Sequence, residues 1–469
     1  MTTIEAPPQT LAPRIVVLDP ADGTVVTDRP AATDAEIASA VATARGAAPA
    51  WAGTAAAERG ARVREAADLV AARAEDLARL VTREMGKPLG DARGGVEAAV
   101  GTLRQYAELG PVHRGRSLAG GPDATDLMVY EPRGVVAAIT PWNDPVAVAC
   151  GLIGAALVTG NTVVHKPSER TPGTGALLGE ILAGALPPGV LTTVCGGADA
   201  GAALVAQPLD LIAHVGSTAT GRAIARAAAG TGAKVLLENG GSDPLVVDET
   251  VDPAWAAEQA ALGAFANAGQ ICVAVERVYV VREVAYDFLS ALVERAQALR
   301  MGPGSDPSTQ LGALVDRRLR DEVHRQVSAA VADGARALCG ARVPDGPGAF
   351  YPATVLAGCT DDMAVVREET FGPVAPVVTV GSFDEALTRA ARSPYGLAAT
   401  VLTMDMDRAR RAWRELPVGT VKINAVFGGA PGGAAHPRRG SGQGYGYGPE
   451  LLDEMTATKA VHVGVGRGR

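Results

Sequence analysis

Aromatic residues make up only 4% of the 469-residue chain, so a large core has to be built from Ala, Val and Leu. Cationic excess is also missing: 43 Lys and Arg face 51 Asp and Glu, a formal charge of −8. That excludes the basic footprint of a protein that coats nucleic acid. Cysteine is scarce and scattered. The five residues (Cys150, Cys195, Cys272, Cys339, Cys359) include no pair at Cys-x-x-Cys spacing, so neither a metal site nor a disulfide framework is expected. The first ten residues lack a basic stretch followed by an apolar core, which excludes a secretory signal. The one uncharged run, 20 residues from Pro145 to Val164, is interrupted by Gly160-Asn161. That turn signal splits it into helix and strand, a buried segment rather than a membrane span. A soluble, cytoplasmic protein is expected. Its 57 glycines and 31 prolines stay below the roughly 25–30% of a low-complexity chain.

The length corresponds to about three domains of roughly 150 residues. Residues 1–30 read as a tail leading into a strand at Ile15–Leu18, and Thr33 to Leu109 as helical, opened by Thr33-Asp34 with Glu36. Pro132-Arg133-Gly134, inside a Val- and Tyr-rich run from Asp126 to Val136, predicts a hairpin. Strands at 135–139, 162–165, 192–195, 211–215, 235–237 and 245–247 then alternate with helices at 145–158, 173–185, 198–206 and 219–229. Such alternation predicts a parallel sheet. A second α/β unit follows: helices at 253–267, 285–299, 316–333 and 383–391, with strands at 277–281, 352–356 and 374–380. The segment from Gly428 to Gly448 reads as loop, and a final strand is expected at 460–465.

Several residues can carry chemistry. Cys272, in Phe265-Ala-Asn267-Ala-Gly269-Gln270-Ile-Cys272, follows a helix end that Gly269 can terminate. It reads either as buried filler, as the other four cysteines do, or as a nucleophile, and no His or Lys stands near it in the sequence to activate it. Glu238 ends an apolar strand before Asn239-Gly240-Gly241. It is either a strand-end carboxylate in a turn or a general base of raised pKa. Asn143, in Pro141-Trp142-Asn143-Asp144-Pro145, is either turn chemistry or an amide that donates to an oxyanion. His165-Lys166-Pro167-Ser168-Glu169 stands at a strand's C-terminal edge, where open sheets bind ligands, and its Lys and Glu can hydrogen-bond a ribose. Val215-Gly216-Ser217-Thr218 leads from strand into helix, a phosphate site, although no GxGxxG fingerprint is present.

In this order, and with Glu368-Glu369-Thr370-Phe371-Gly372-Pro373-Val374 added, these segments resemble the NAD(P)-dependent aldehyde dehydrogenase superfamily over about residues 15–465. The spacings are 95 residues from Asn143 to Glu238, 34 to Cys272 and 97 more to Glu369. The resemblance implies an α/β fold with three parts. These are a Rossmann-type cofactor domain (1–116 and 136–240), a catalytic α/β domain (241–435) and a small β oligomerisation arm (117–135 and 455–467). It implies Cys272 as nucleophile, Asn143 as oxyanion donor with the Cys272 N–H, and Glu238 as the base that activates water. It further implies Trp142, Lys166, Ser168, Glu169, Gly216, Ser217, Glu369 and Phe371 around the cofactor. That cofactor is NAD, with NADP possible, because Glu169 opposes a 2′-phosphate. The substrate is an aldehyde, oxidised to a carboxylic acid. An acylating enzyme and an inactive homologue are the alternatives, and a homodimer or homotetramer is expected.

The chain departs from the family's pattern in places. Gly240-Gly241-Ser242 lacks the usual lysine and Asn239 replaces a Leu; Ala430-Pro431-Gly432-Gly433 has an altered continuation; the tail from Ser441 to Gly446 lacks the usual Arg-Glu. Ile271 before the nucleophile is no clamp for a phosphorylated aldehyde. Gly151 suggests a tunnel wall of little bulk. Asp144 stands where relatives carry an aromatic ring. It is either a helix N-cap before Pro145 or a charge shown to the tunnel, favouring cationic or hydroxylated aldehydes.

Overall fold

Thr33 starts the first helix as its sequence predicts. Its side chain accepts from the Glu36 N–H, while Glu36 Oε2 accepts from the Thr33 N–H at 2.8 Å, a reciprocal cap. The computed structural model describes residues 13–428 and 435–466, and the Ala430-Pro431-Gly432-Gly433 stretch lies outside them. Four helices occupy the predicted helical region: Asp34–Gly53, Ala56–Ala72, Ala74–Met85 and Leu89–Leu109. The third ends at Gly86, whose φ of +87° places it in the left-handed region. A Cβ there would also stand 2.6 Å from the Ala313 carbonyl oxygen.

The alternating units form a six-stranded sheet in the order Gly442–Gln443, Lys234–Glu238, Leu211–Val215, Val135–Ile139, Thr162–Lys166, Leu191–Thr193. All pairs are parallel except the first. Val135–Ile139 and Thr162–Lys166 are buried at every position, as expected for parallel strands covered on both faces. The register sets Ile139 beside Lys166 and His214, and Val215 beside Glu238. Four strand ends therefore release their loops at one edge. The uncharged run resolves into the helix Pro145–Val158, a turn at Gly160 (φ +94°) and the strand Thr162–Lys166. Among the described residues no helix is long and apolar enough to cross a membrane.

Residues 239–242 lead from this sheet into a second. Its order is Arg336–Cys339, Thr354–Ala357, Val374–Val380, Val275–Val281, Asp243–Val247, Ala398–Leu402, Thr420–Ile423, with only the first pair antiparallel. Leu245, Val278, Val377 and Val401 of this sheet are fully buried, as is Phe288 on the helix Arg282–Ala298. Three of its strands, Arg336–Cys339, Ala398–Leu402 and Thr420–Ile423, are not predicted from the sequence.

The predicted hairpin around Pro132-Arg133-Gly134 does not form. Ala124–Pro132 and Val135–Ile139 belong to different sheets. Ala124–Pro132 pairs antiparallel with Thr456–Gly464, from Thr456 opposite Pro132 to Gly464 opposite Ala124, and with Arg116–Leu118. The nine-residue ladder to the C-terminal strand supplies more pairing than a local turn could. The cysteines are all free; Cys150, Cys195 and Cys359 are buried, and Cys339 is half-buried on an edge strand.

Candidate active site

Three left-handed residues in succession, Asn267 (φ 49°), Ala268 (φ 54°) and Gly269 (φ 74°), end the helix Pro253–Phe265. Non-glycine residues there are strained, and the strain is held by side chains. Asn267 Nδ2 donates to the Gln270 carbonyl at 3.1 Å, Gln270 Nε2 donates to the Asn267 carbonyl at 3.0 Å, and Gln270 Oε1 accepts from the Val315 N–H at 2.9 Å. At Gly269 a Cβ would stand 2.1 Å from the Gly372 oxygen. The loop thus carries Cys272 away from the helix and against the segment that holds Glu369 and Phe371.

Cys272 opens onto a cleft of about 490 Å³. Trp142, Asn143, Gly216, Ser217, Glu238, Glu369 and Phe371 line the same cleft. It brings together eight of the residues singled out in the sequence. Lys166, Ser168 and Glu169 lie at the end of the neighbouring strand, outside that lining. Lys166 Nζ stands 3.6 Å from the half-exposed Glu169 carboxylate, and burial holds the Lys166 ammonium below its usual range. Ser168 is buried, and its Oγ accepts from the Arg170 N–H at 3.3 Å, which makes it part of the turn.

Asn143 Nδ2 donates to the Gln270 carbonyl at 3.0 Å, so the amide is aimed at the loop that carries Cys272. Glu238 ends its strand with Oε1 accepting from the Gly446 N–H at 3.1 Å. Burial pushes its carboxyl up to about 8, against that hydrogen bond. Glu369 Oε1 accepts from the Gly241 N–H at 3.0 Å, and burial pushes it up to about 7. Burial also pushes the Cys272 thiol up to about 12, with Glu238, Asp243 and Glu369 adding a negative field. A cation absent from the local sequence does reach this region. Lys422, on the strand Thr420–Ile423, interacts electrostatically with Asp243 and Cys272 and donates to the Val426 carbonyl at 2.7 Å.

Two aromatic rings of the cleft are in contact. Trp142 and Phe371 meet edge to face at 5.5 Å, and the Arg170 guanidinium lies 5.1 Å over the Trp142 ring. Ser217 caps the helix Thr218–Thr231 by accepting from Thr220. The helix N-terminus therefore faces the cleft with its positive end.

Asp144 does not cap its helix: its side chain accepts no hydrogen bond from the first turn of Pro145–Val158. Its carboxylate reaches instead to the buried Lys87 Nζ, at 3.5 Å, and lies over Gly95. Lys87, Asp91 and Val148 line the cleft beside it. Gly151 does not, and nothing stands within 4 Å of a Cβ built there, so Val148, one turn after Asp144, supplies the wall. Sequence reasoning missed Lys87 and Asp91. The Gly86-Lys87-Pro88 break between two helices was visible, but no local pattern shows that it faces a cleft built from distant loops. Among the described residues no cluster of three or more His, Cys, Asp or Glu side chains is placed to hold a metal.

Comparison with known proteins shows the family. Residues 8–461 match the model of the aldehyde dehydrogenase family. A betaine aldehyde dehydrogenase of Cereibacter sphaeroides is 38% identical, covering 96% of this chain and 94% of the relative. A succinate-semialdehyde dehydrogenase of Paenarthrobacter nicotinovorans is 37% identical, covering 92% and 97%. The crystal structure of betaine aldehyde dehydrogenase from Staphylococcus aureus in complex with NAD+ superposes with a TM-score of 0.93 at 31% identity, covering 96% and 91%. With the family matched over nearly its whole length, this chain belongs to the aldehyde dehydrogenase family.

Proposed function

We propose that the protein oxidises an aldehyde to a carboxylic acid with NAD as hydride acceptor. The observation that carries this is the convergence of Asn143, Glu238 and Cys272 from three separate loops on one cleft that also holds Glu369 and Phe371. The residues present fit a dinucleotide. A helix N-terminus with Ser217 offers N–H groups to a pyrophosphate, Lys166 and Glu169 stand at the adjacent strand end for the ribose, and Phe371 with Trp142 bounds the far end. When bound, the cofactor supplies the acceptor for a hydride. Glu169 disfavours a 2′-phosphate by charge, so NAD is preferred over NADP.

The chain's own residues do the rest. The Cys272 thiol releases its proton to solvent and, as thiolate, adds to the aldehyde carbon to give a thiohemiacetal, whose oxyanion Asn143 Nδ2 and the Cys272 N–H stabilise. Loss of hydride from that carbon leaves a thioester. Glu238 takes a proton from the water that attacks the thioester; the acid leaves and the thiol returns. Glu238 favours hydrolysis over transfer of the acyl group to coenzyme A. Cys272→Ser and Cys272→Ala should abolish NADH formation while the protein stays folded, and NADH formation followed with and without coenzyme A tests the hydrolytic step. Retained turnover in either variant, or strict dependence on coenzyme A, would refute this reading.

For the substrate, the Lys87–Asp144 pair and Asp91 make the outer cleft polar, and burial holds the Asp91 carboxyl above its usual range. Among the described lining residues the aromatic rings are Trp142 and Phe371, both at the cofactor end, so no aromatic cage for a quaternary ammonium surrounds the outer cleft. A hydroxylated or primary-amine aldehyde fits better than an aromatic one or an acidic semialdehyde. The division into a cofactor unit (1–116 and 136–240), a catalytic unit (241–435) and an arm (117–135 and 455–467) belongs to the same reading. So does a cytoplasmic homodimer or homotetramer joined through the exposed strand Thr456–Gly464, whose free edge a second copy would cover. A monomer by light scattering at micromolar concentration would contradict the assembly.

A further inference from the structure

Glu276 is a buried carboxylate, 4% exposed, that takes no part in the mechanism above. It sits at the start of the strand Val275–Val281, four residues after Cys272, and this strand runs parallel to Val374–Val380. The register pairs Val278 with Val377, so the segment preceding Val374 approaches the N-terminal end of this strand. Arg277 turns to the opposite face, where it donates to the Ser242 and Ala390 carbonyls, and alternation sends Glu276 toward the cofactor loop. There Oε2 accepts from the Thr370 N–H at 2.9 Å and Oε1 from the Phe371 N–H at 3.0 Å.

Those two N–H groups belong to the loop that presents Glu369 and Phe371. Phe371 is left-handed (φ 53°), a conformation that an aromatic residue holds only when its surroundings impose it. Two bonds from one buried carboxylate, given to consecutive amides around that residue, are such a constraint. The rest of the loop is held from other sides. Thr370 Oγ1 donates to Gln326 Oε1 at 3.0 Å, and Gly372 leaves no room for a Cβ against Val323 and packs on Gly269. Burial, with Glu369 nearby, pushes the Glu276 carboxyl up to about 8, against the two N–H bonds. A buried carboxylate at this cost is not needed to join two parallel strands, whose ladders are already made.

We infer that Glu276 is a positioning residue for hydride transfer: it clasps the Thr370 and Phe371 amides and thereby ties the nicotinamide-facing loop to the nucleophile-bearing segment. The inference rests on the proposed roles of Cys272, Glu369 and Phe371. It predicts that loosening the clasp displaces the hydride acceptor relative to Cys272 without disabling the thiol.

Glu276→Gln keeps the size but sets an NH2 against one of the two amides, so one bond is lost. Three readouts test the inference on the full-length enzyme. With NAD+ and a good aldehyde, kcat should fall by about ten- to a hundredfold, the scale of a small misplacement of reacting groups, while KM for NAD+ changes far less because the adenosine half binds elsewhere. Hydrolysis of p-nitrophenyl acetate without cofactor, which needs the thiol but no hydride, should stay within about twofold. Amide exchange at Thr370 and Phe371 should be slow in the wild type and faster in the variant, with Val275–Val281 still protected. Full dehydrogenase turnover in Glu276→Gln would overturn the inference, as would fast exchange at these two amides in the wild type. Ester hydrolysis lost in step with dehydrogenation would also overturn it, because Glu276 would then hold the fold rather than the loop. A wild type that hydrolyses no ester bears instead on the nucleophile, and so marks failure of the mechanism itself.

Discussion

Gly446 lies against Glu238 so closely that a Cβ on it would stand 2.3 Å from the Glu238 Cγ, while its N–H donates to Glu238 Oε1 at 3.1 Å. The glycine-rich C-terminal segment thus closes over the carboxylate. Gly442, at φ +126°, continues the contact by pairing with Glu238 at the sheet edge. Enclosure accounts for the raised pKa of Glu238. It also makes this segment part of the site, although its sequence read only as loop.

A carboxyl raised to about 8 is protonated at neutral pH and becomes a base as pH rises. The thioester-hydrolysis step should therefore speed up by about tenfold per pH unit below that value and level off above it. Glu238→Gln should show a burst of NADH followed by a slow, pH-insensitive steady state. Full steady-state turnover in this variant would rule out Glu238 as the base.

In the proposed mechanism Asn143 contributes one donor to the oxyanion. Asn143→Ala should lower kcat by about 10²–10³ with little change in thermal unfolding, read by pre-steady-state NADH formation. A loss of less than about threefold would show that the developing charge is stabilised elsewhere.

Asp144 faces Lys87 rather than its own helix. Asp144→Phe should raise kcat/KM for benzaldehyde relative to an amino-aldehyde, and Asp144→Asn should flatten the preference. The pair is partly solvent-exposed on the Asp144 side, so Asp144→Asn should cost no more than about 1 kcal/mol of stability. An unchanged substrate ranking in both variants would remove Asp144 from the specificity account.

In the proposed reading Glu169, half-exposed beside Lys166, sets the cofactor preference. The wild type should have the higher kcat/KM with NAD, and Glu169→Gln should narrow the gap to NADP. A wild-type preference for NADP would contradict this.

The parts of the fold that read correctly are those whose signal is local. The helix Pro145–Val158 and the strands Val135–Ile139, Leu211–Val215 and Val374–Val380 begin and end where periodicity and turn residues place them. Errors arise where pairing is distant. Arg133-Gly134 looks like a turn, but Ala124–Pro132 finds its partner more than 320 residues later. Ala398–Leu402 is a central strand of short side chains, and its position beside Asp243–Val247 owes more to the sheet than to its own propensity. At the site, Cys272, Glu238 and Asn143 were each ambiguous alone and gained meaning as an ordered set. Lys87, Asp91 and Glu276 had no local signal, because their roles come from loops folded onto them from elsewhere. Asp144 was open between two roles. Standing before Pro145 it spelled a helix cap, yet a lysine 57 residues earlier took the carboxylate.

The most direct test of the account is mass spectrometry of the Glu238→Gln protein after incubation with an accepted aldehyde and NAD+. The account predicts that the acyl group accumulates as a thioester on the peptide containing Cys272, stoichiometric with the NADH burst and released by hydroxylamine. An NADH burst with no adduct on Cys272, or an adduct on Cys150, Cys195, Cys339 or Cys359 instead, would contradict it.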